Sequence, residues 1–194
     1  MRTGIFEAKR IALAATLAFA AIGTARVANA AGAQPDEKLI RDARQTIDAY
    51  KTADPTMESF FRKSAGYVVF PSVAKGAVGV GAAHGTGVLF EHDHPVGKVT
   101  LSQASIGLAL GGQEFSQVVF YESPKGLAEL KGGKASFSAE VGAVALNSGA
   151  SARAGFHHGV AVFTAKQGGL MFEASVGGQK FDYQAWEMPK AGHE

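Results

Sequence analysis

Three histidines fall close together in the middle of the chain: His84, then His92 and His94 with Asp93 between them. Imidazole nitrogens and carboxylate oxygens are the donors that zinc and copper accept. His92-Asp93-His94 lies within Glu91-His-Asp-His-Pro-Val-Gly-Lys98, which reads as a turn between strands, where alternate side chains could share one metal. A third protein ligand is not identifiable from spacing. An envelope metal-dependent enzyme using the His84, His92 and His94 region is therefore one reading of the chain. His157 and His158 are adjacent, and on a strand they would face opposite sides.

Other catalytic chemistry is poorly supplied. The 194 residues include no cysteine, which removes thiolate nucleophiles, thiolate ligands and disulfides. There is no Gly-x-Ser-x-Gly elbow, and Glu114, Glu122, Glu140 and Glu173 fall in separate strands, so spacing does not reveal a carboxylate pair. Residues 77–90, AVGVGAAHGTGVLF, have the glycine density of a phosphate-cradling loop. Such a loop opens a helix whose first amides hold the anion. Here Gly85-Thr86-Gly87 runs into Val88-Leu89-Phe90, which is β in character, and no Gly-Lys-Ser or Gly-Lys-Thr occurs. No nucleotide or other cofactor is expected, and a non-enzyme is favoured.

The elements that carry these residues follow from periodicity. Leu39, Ala43, Ile47 and Tyr50 recur at helical spacing, with Ile40 beside them, which predicts an amphipathic helix over 36–52. Asp54-Pro55 reads as an N-cap and first helical position of a second, short helix holding Met57, Phe60 and Phe61, with Gly66 as its stop. From Tyr67 the period becomes two. Strands are expected at 67–70, 78–82, 88–90, 99–110, 115–121, 137–146, 160–164, 170–176 and 181–185, some merging to leave six or seven, separated by glycine-bearing turns. One helix interrupts them: Ser123 caps it, Pro124 follows, Leu127 and Leu130 face inward and Gly132 stops it.

Residues 66–178 hold 21 of the 25 glycines, far above the ~7% average, without a three-residue period. Valines and glycines alternate at 78–83, leaving one face nearly bare. Repeated glycine in strands implies that something packs closely there or that the sheet bends sharply. The fold class is thus α+β: a curved, glycine-rich antiparallel β barrel or sandwich with N-terminal helices and one short mid-chain helix.

Residues 1–30 begin with Arg2, Lys9 and Arg10, continue through an apolar run at 11–23 and finish in Ala28-Asn29-Ala30, the pattern of a cleaved signal peptide. That run is shorter than the ~20 apolar residues a spanning helix needs. Residues 31–194 are then one exported domain, periplasmic or secreted, with a helical part at 36–65 and a β part at 66–186. The leader carries four of the 19 Lys and Arg and one of the 17 Asp and Glu, so the remainder has 15 basic and 16 acidic residues. Near-neutral charge removes the compositional basis for nucleic-acid binding.

The helix at 36–52 is the more promising surface. Arg44 and Lys51 flank its stripe of Ile40, Ala43 and Ile47, so long cationic chains could reach lipid headgroups while their stems stay on apolar surface. Residues 36–63 nonetheless hold six basic and six acidic residues, and periodicity alone favours core packing for the apolar stripe.

Ser64-Ala-Gly-Tyr-Val-Val-Phe-Pro-Ser-Val-Ala-Lys-Gly76, followed by Gly79-Val-Gly81 and Gly85-Thr-Gly87, resembles the SYLF domain family. Ser102-Gln-Ala-Ser-Ile-Gly107, Gly111-Gly-Gln113 and Gly168-Gly-Leu-Met-Phe-Glu-Ala-Ser-Val-Gly-Gly-Gln179 are similar to its exported bacterial branch, so the likeness spans about residues 38–185. The resemblance implies a non-catalytic lipid-binding module that recognises phosphoinositide or another anionic phospholipid through an amphipathic N-terminal helix and basic surface residues. It carries over to Lys38, Arg41, Arg44 and Lys51 on the helix and to Lys75 in the Lys75-Gly76 pair. The implied partner is a phospholipid or membrane surface, peripheral to the outer membrane, with a protein-interaction scaffold as the remaining alternative.

Overall fold

The computed structural model describes residues 33–133, 136–137, 143–145, 149, 151, 154–166 and 178–187. Helix α1 spans Glu37–Ala53. A 3-10 turn at Pro55–Met57 leads into α2, Glu58–Lys63. Two long strands follow, β1 at Gly66–Glu91 and β2 at His94–Tyr121, then α3 at Pro124–Lys131. The short β3 (Ser136–Phe137) and β4 (Ala143–Ala145) precede β5 (Val160–Lys166) and β6 (Gln179–Ala185). Residues 31–194 form one compact unit.

Together the strands make one six-stranded sheet centred on β2. One edge of β2 pairs antiparallel with β1. Its other edge is shared, β6 taking residues 97–103 and β5 taking 115–121, both antiparallel. Among the described strands, β4 pairs with β5 in parallel, an exception to the antiparallel expectation. Among the described residues the strands do not close into a ring; the sheet is open and curls over itself.

That curl is measurable. Gln103 and Gln117 are 14 positions apart on β2 and would lie on the order of 45 Å apart in a straight strand. Yet both bond the Gln179 side chain: Gln179 Nε2 donates to Gln103 Oε1 at 3.1 Å and Gln117 Nε2 donates to Gln179 Oε1 at 3.1 Å. This buried amide trio faces the inside of the curl, where Phe70 also meets Phe181 with ring centroids 5.9 Å apart. A buried amide without partners is costly, so three amides satisfying one another fix how the two ends of β2 fold together.

Alternation divides the core into two clusters, one on each face. Tyr67, Val69, Val88, Phe90, Val118, Phe120, Ala161 and Phe163 face α1, the 3-10 turn and α2, which contribute Ile40, Ala43, Ile47, Tyr50, Met57, Phe60 and Phe61. The intervening residues, including Val68, Phe70, Leu89, Leu101, Val119, Tyr121 and Phe181, line the inside of the curl with Leu127 and Leu130 of α3.

Two glycines meet the expectation of close packing at a bend, although the expected strand limits of 78–82 and 88–90 left them in a turn. Gly85 and Gly87 lie inside β1, and the strand bends until they meet its own beginning: a Cβ on Gly85 would stand 2.8 Å from Val73 Cγ2, and one on Gly87 would stand 2.5 Å from the Val69 carbonyl oxygen. Close packing of this kind is the alternative use of a strand glycine. Gly66 is not the stop of the second helix. That helix ends at Lys63 with Ser64 as its C-cap, and Gly66 begins β1 because the Phe90 carbonyl oxygen and Leu127 fill the space beside its Cα. The strand expected at 170–176 lies outside the described residues.

The chain reverses between β1 and β2 at His92-Asp93, where φ is 50° and 63° at successive residues, the geometry of a two-residue type I′ hairpin turn. A second tight turn corrects the strand reading of His157 and His158. His157 and Val160 exchange both backbone hydrogen bonds, and His158 and Gly159 form the loop between them with φ of 53° and 79°. Gly159 supplies the second left-handed position, which ends any alternation at His158.

Candidate functional site

Helix α1 forms because its ends and its inner face are both satisfied. Asp36 accepts from the Leu39 amide at 2.9 Å, Glu37 lies in the first turn and Lys51 in the last, each favourable to the helix dipole. Ile40, Ala43, Ile47 and Tyr50 are buried against the sheet. Tyr50 anchors the helix, its hydroxyl donating to the Ser116 carbonyl at 2.9 Å, and burial pushes its phenol well above the usual range. The apolar stripe is thus part of the core and is not available to enter a membrane while the domain is folded.

The cations remain on the outside, in unequal states. Lys38 pairs with Asp42 at 2.6 Å, one turn along the helix. Lys51 pairs with Glu58 at 3.0 Å and lies over the Phe61 ring at 4.9 Å. Arg44 is exposed, with its guanidinium carbon 5.7 Å from the Phe90 ring centroid. Arg41 is exposed and has no carboxylate partner among the described residues. Three positions apart, Arg41 and Arg44 share one flank of the helix. Lys75 sits on β1 in register with Gln113, half-buried and on a different element.

Beside Arg44, the Tyr67 ring stacks on Phe90 with centroids 5.4 Å apart and its hydroxyl donates to Asp93 Oδ1 at 2.6 Å. Burial raises the Tyr67 phenol far above its usual range, the Asp93 carboxylate raises it further, and Arg44 opposes the shift. The phenol therefore stays a donor and ties the hairpin turn to the layer under α1.

The histidines do not converge. His84 projects from β1 opposite Ser102, seven positions before the end of the strand, on the order of 20 Å along it from the turn. At the turn itself, His94 Nδ1 bonds the His92 carbonyl at 2.7 Å. Among the described residues no group of three or more histidine and carboxylate side chains could hold a metal. Of the scattered glutamates, Glu114 accepts from Ser72 at 2.5 Å, and Glu140 and Glu173 lie outside the described residues.

Sequence spacing gave no sign of the Asp54 cluster. This buried carboxylate accepts from the Thr56 amide at 3.0 Å, the Thr56 hydroxyl at 2.6 Å, the Ser151 amide at 2.9 Å and the Ser151 hydroxyl at 2.8 Å. Burial alone would raise its pKa, but these bonds outweigh burial and lower it from 3.8 to about 2. The depressed carboxyl contributes stability that is complete above its ordinary value and is lost as pH falls toward 2. Urea unfolding followed between pH 5 and pH 2 should show a loss of roughly 1–3 kcal/mol, and Asp54→Asn should flatten that dependence while lowering stability at pH 7.

Among the described residues no helix is long and apolar enough to cross a membrane. In comparison with known proteins, the chain matches no protein-family model and no curated protein sequence.

Proposed function

We propose that the protein is an exported, non-catalytic module of SYLF type that docks reversibly on anionic phospholipid headgroups at an envelope membrane surface. The observation that carries this reading is the Arg41 and Arg44 flank of α1: two exposed guanidinium groups one turn apart, Arg41 without a carboxylate partner among the described residues and Arg44 seated on an aromatic ring. Guanidinium forks match phosphate oxygens, and a helix packed on a sheet presents them without a backbone ordering cost, leaving only the side-chain rotamers to be fixed.

Lys38 and Lys51, already paired with Asp42 and Glu58, would contribute less, and Lys75 would act from a separate element. Because the apolar face of α1 is committed to the core, docking is electrostatic and sensitive to salt. Replacing Arg41 and Arg44 together by Gln should remove about 2 kcal/mol, taking each cation near an anionic surface at about 1 kcal/mol, or roughly 30-fold in vesicle affinity. Cosedimentation with phosphatidylglycerol-containing vesicles measures it. Unchanged affinity in the double variant would refute the assignment of these residues.

The metal-enzyme reading is weaker on a specific geometric ground, the separation of His84 from the His92 and His94 turn along β1.

A further inference from the structure

A cavity of about 430 Å³ opens between α2, the residue that follows β2 and the segment leading into β5. Its size falls within the ~300–1,000 Å³ range of small-molecule sites. Phe60 and Phe156 contribute two aromatic rings to its lining, with centroids 5.3 Å apart, and Phe60 is held in place by Phe120 and Phe163 behind it. Another part of the wall is Ser151, fixed through its amide and hydroxyl by Asp54.

Two opposite charges line the same cavity, Lys63 from α2 and Glu122 just after β2. Both are exposed, and among the described residues neither forms an ion pair with the other or with any third group. Each is tolerated singly, Lys63 in the last turn of α2 and Glu122 just ahead of the Ser123 cap of α3. Gly155 also lines the cavity. A Cβ there would meet no heavy atom within 4 Å, and its φ lies outside the left-handed region, so neither packing nor backbone conformation calls for glycine. Its effect is to leave space free at the cavity.

The geometry points to a binding site for a small zwitterion with an apolar body, its anionic group at Lys63, its ammonium at Glu122 and its hydrocarbon against Phe60 and Phe156. This site does not depend on the Arg41 and Arg44 surface. An apolar α-amino acid and a phosphoethanolamine lipid share the required pair of charges, the hydrocarbon being a side chain in the first and the acyl chains in the second, and the test separates them through the soluble headgroup.

Isothermal titration of the purified protein would use L-phenylalanine, L-leucine and glycerophosphoethanolamine at millimolar concentration, with 3-phenylpropionate and phenethylamine as single-charge controls. Saturable binding of a zwitterion, weakened about tenfold or more by Lys63→Gln and by Glu122→Gln and by loss of either ligand charge, is the expected result. Amino-acid binding assigns a free solute as the ligand, and glycerophosphoethanolamine binding assigns a lipid headgroup. Gly155→Leu should block binding without lowering the thermal midpoint. Absence of saturable binding for every zwitterion, equal binding of the single-charge controls, or retained binding in folded Gly155→Leu would each overturn the proposal.

Discussion

Gly87→Ala is expected to cost the protein about 3 kcal/mol, while Gly76→Ala in the same strand leaves stability within about 0.5 kcal/mol. The two glycines differ in what lies above them. At Gly87 an added Cβ would stand 2.5 Å from the Val69 carbonyl oxygen and 2.7 Å from Phe70 Cδ1, and a backbone oxygen cannot swing aside as a side chain can. At Gly76 nothing lies within 4 Å. Relief of the Gly87 overlap would require the two halves of β1 to separate, which would also loosen the Phe70 and Phe181 contact inside the curl. Urea titration of the two variants checks the contrast. Equal stability would mean that β1 does not fold back on itself at this point.

Phe120→Ala carries the second large effect, about 3–5 kcal/mol, typical of a buried ring replaced by a methyl group. Phe120 is fully buried on β2 and meets the rings of Phe60, Phe61, Tyr67 and Phe163 at centroid distances of 5.5, 4.9, 5.7 and 5.9 Å. Those partners come from α2, β1 and β5, so one deletion weakens the attachment of the helical layer to the sheet. At ~2–4 °C per kcal/mol for a chain of this size, the thermal midpoint should fall by roughly 10 °C. Differential scanning calorimetry measures it. A shift of only a degree or two would show that the helices are held mainly by contacts other than this aromatic cluster.

What could be read from sequence was local. Ile40, Ala43, Ile47 and Tyr50 repeat at helical spacing, and α1 appears within one residue of the expected limits. Asp54 caps the 3-10 turn and Ser123 caps α3, each followed by proline at the first position, because capping acts over two or three residues. The α+β class followed from the change of period at Tyr67. Pairing partners did not follow: β5 and β6 share one edge of β2 through contacts 39 or more residues distant, and no local spacing encodes that division. Glycine was legible in kind, because close packing or a bend was expected of it, but not in place, since the expected strand limits put 83–87 between strands. Gly85 and Gly87 carry the composition of a turn, yet their role is set by Val69, Phe70 and Val73, far back in the same strand.

The candidate site shows the same limit. The cations of α1 were legible as charges, but which of them already had partners was not: Lys38 and Lys51 meet Asp42 and Glu58, and Arg44 meets Phe90 across tertiary distance. Asp54 and Ser151 are 97 positions apart, and Gln103, Gln117 and Gln179 share no motif, so neither cluster leaves a trace in periodicity.

Vesicle cosedimentation of the unaltered protein tests the functional account most directly. Phosphatidylcholine vesicles would be compared with vesicles containing phosphatidylglycerol, each at low and at physiological ionic strength. Headgroup docking by an electrostatic helix flank predicts binding to the anionic vesicles alone, released as salt shortens the Debye length from ~30 Å at 0.01 M to ~8 Å at 0.15 M. Failure to bind anionic vesicles at low salt, or equal binding to both lipids, would contradict it.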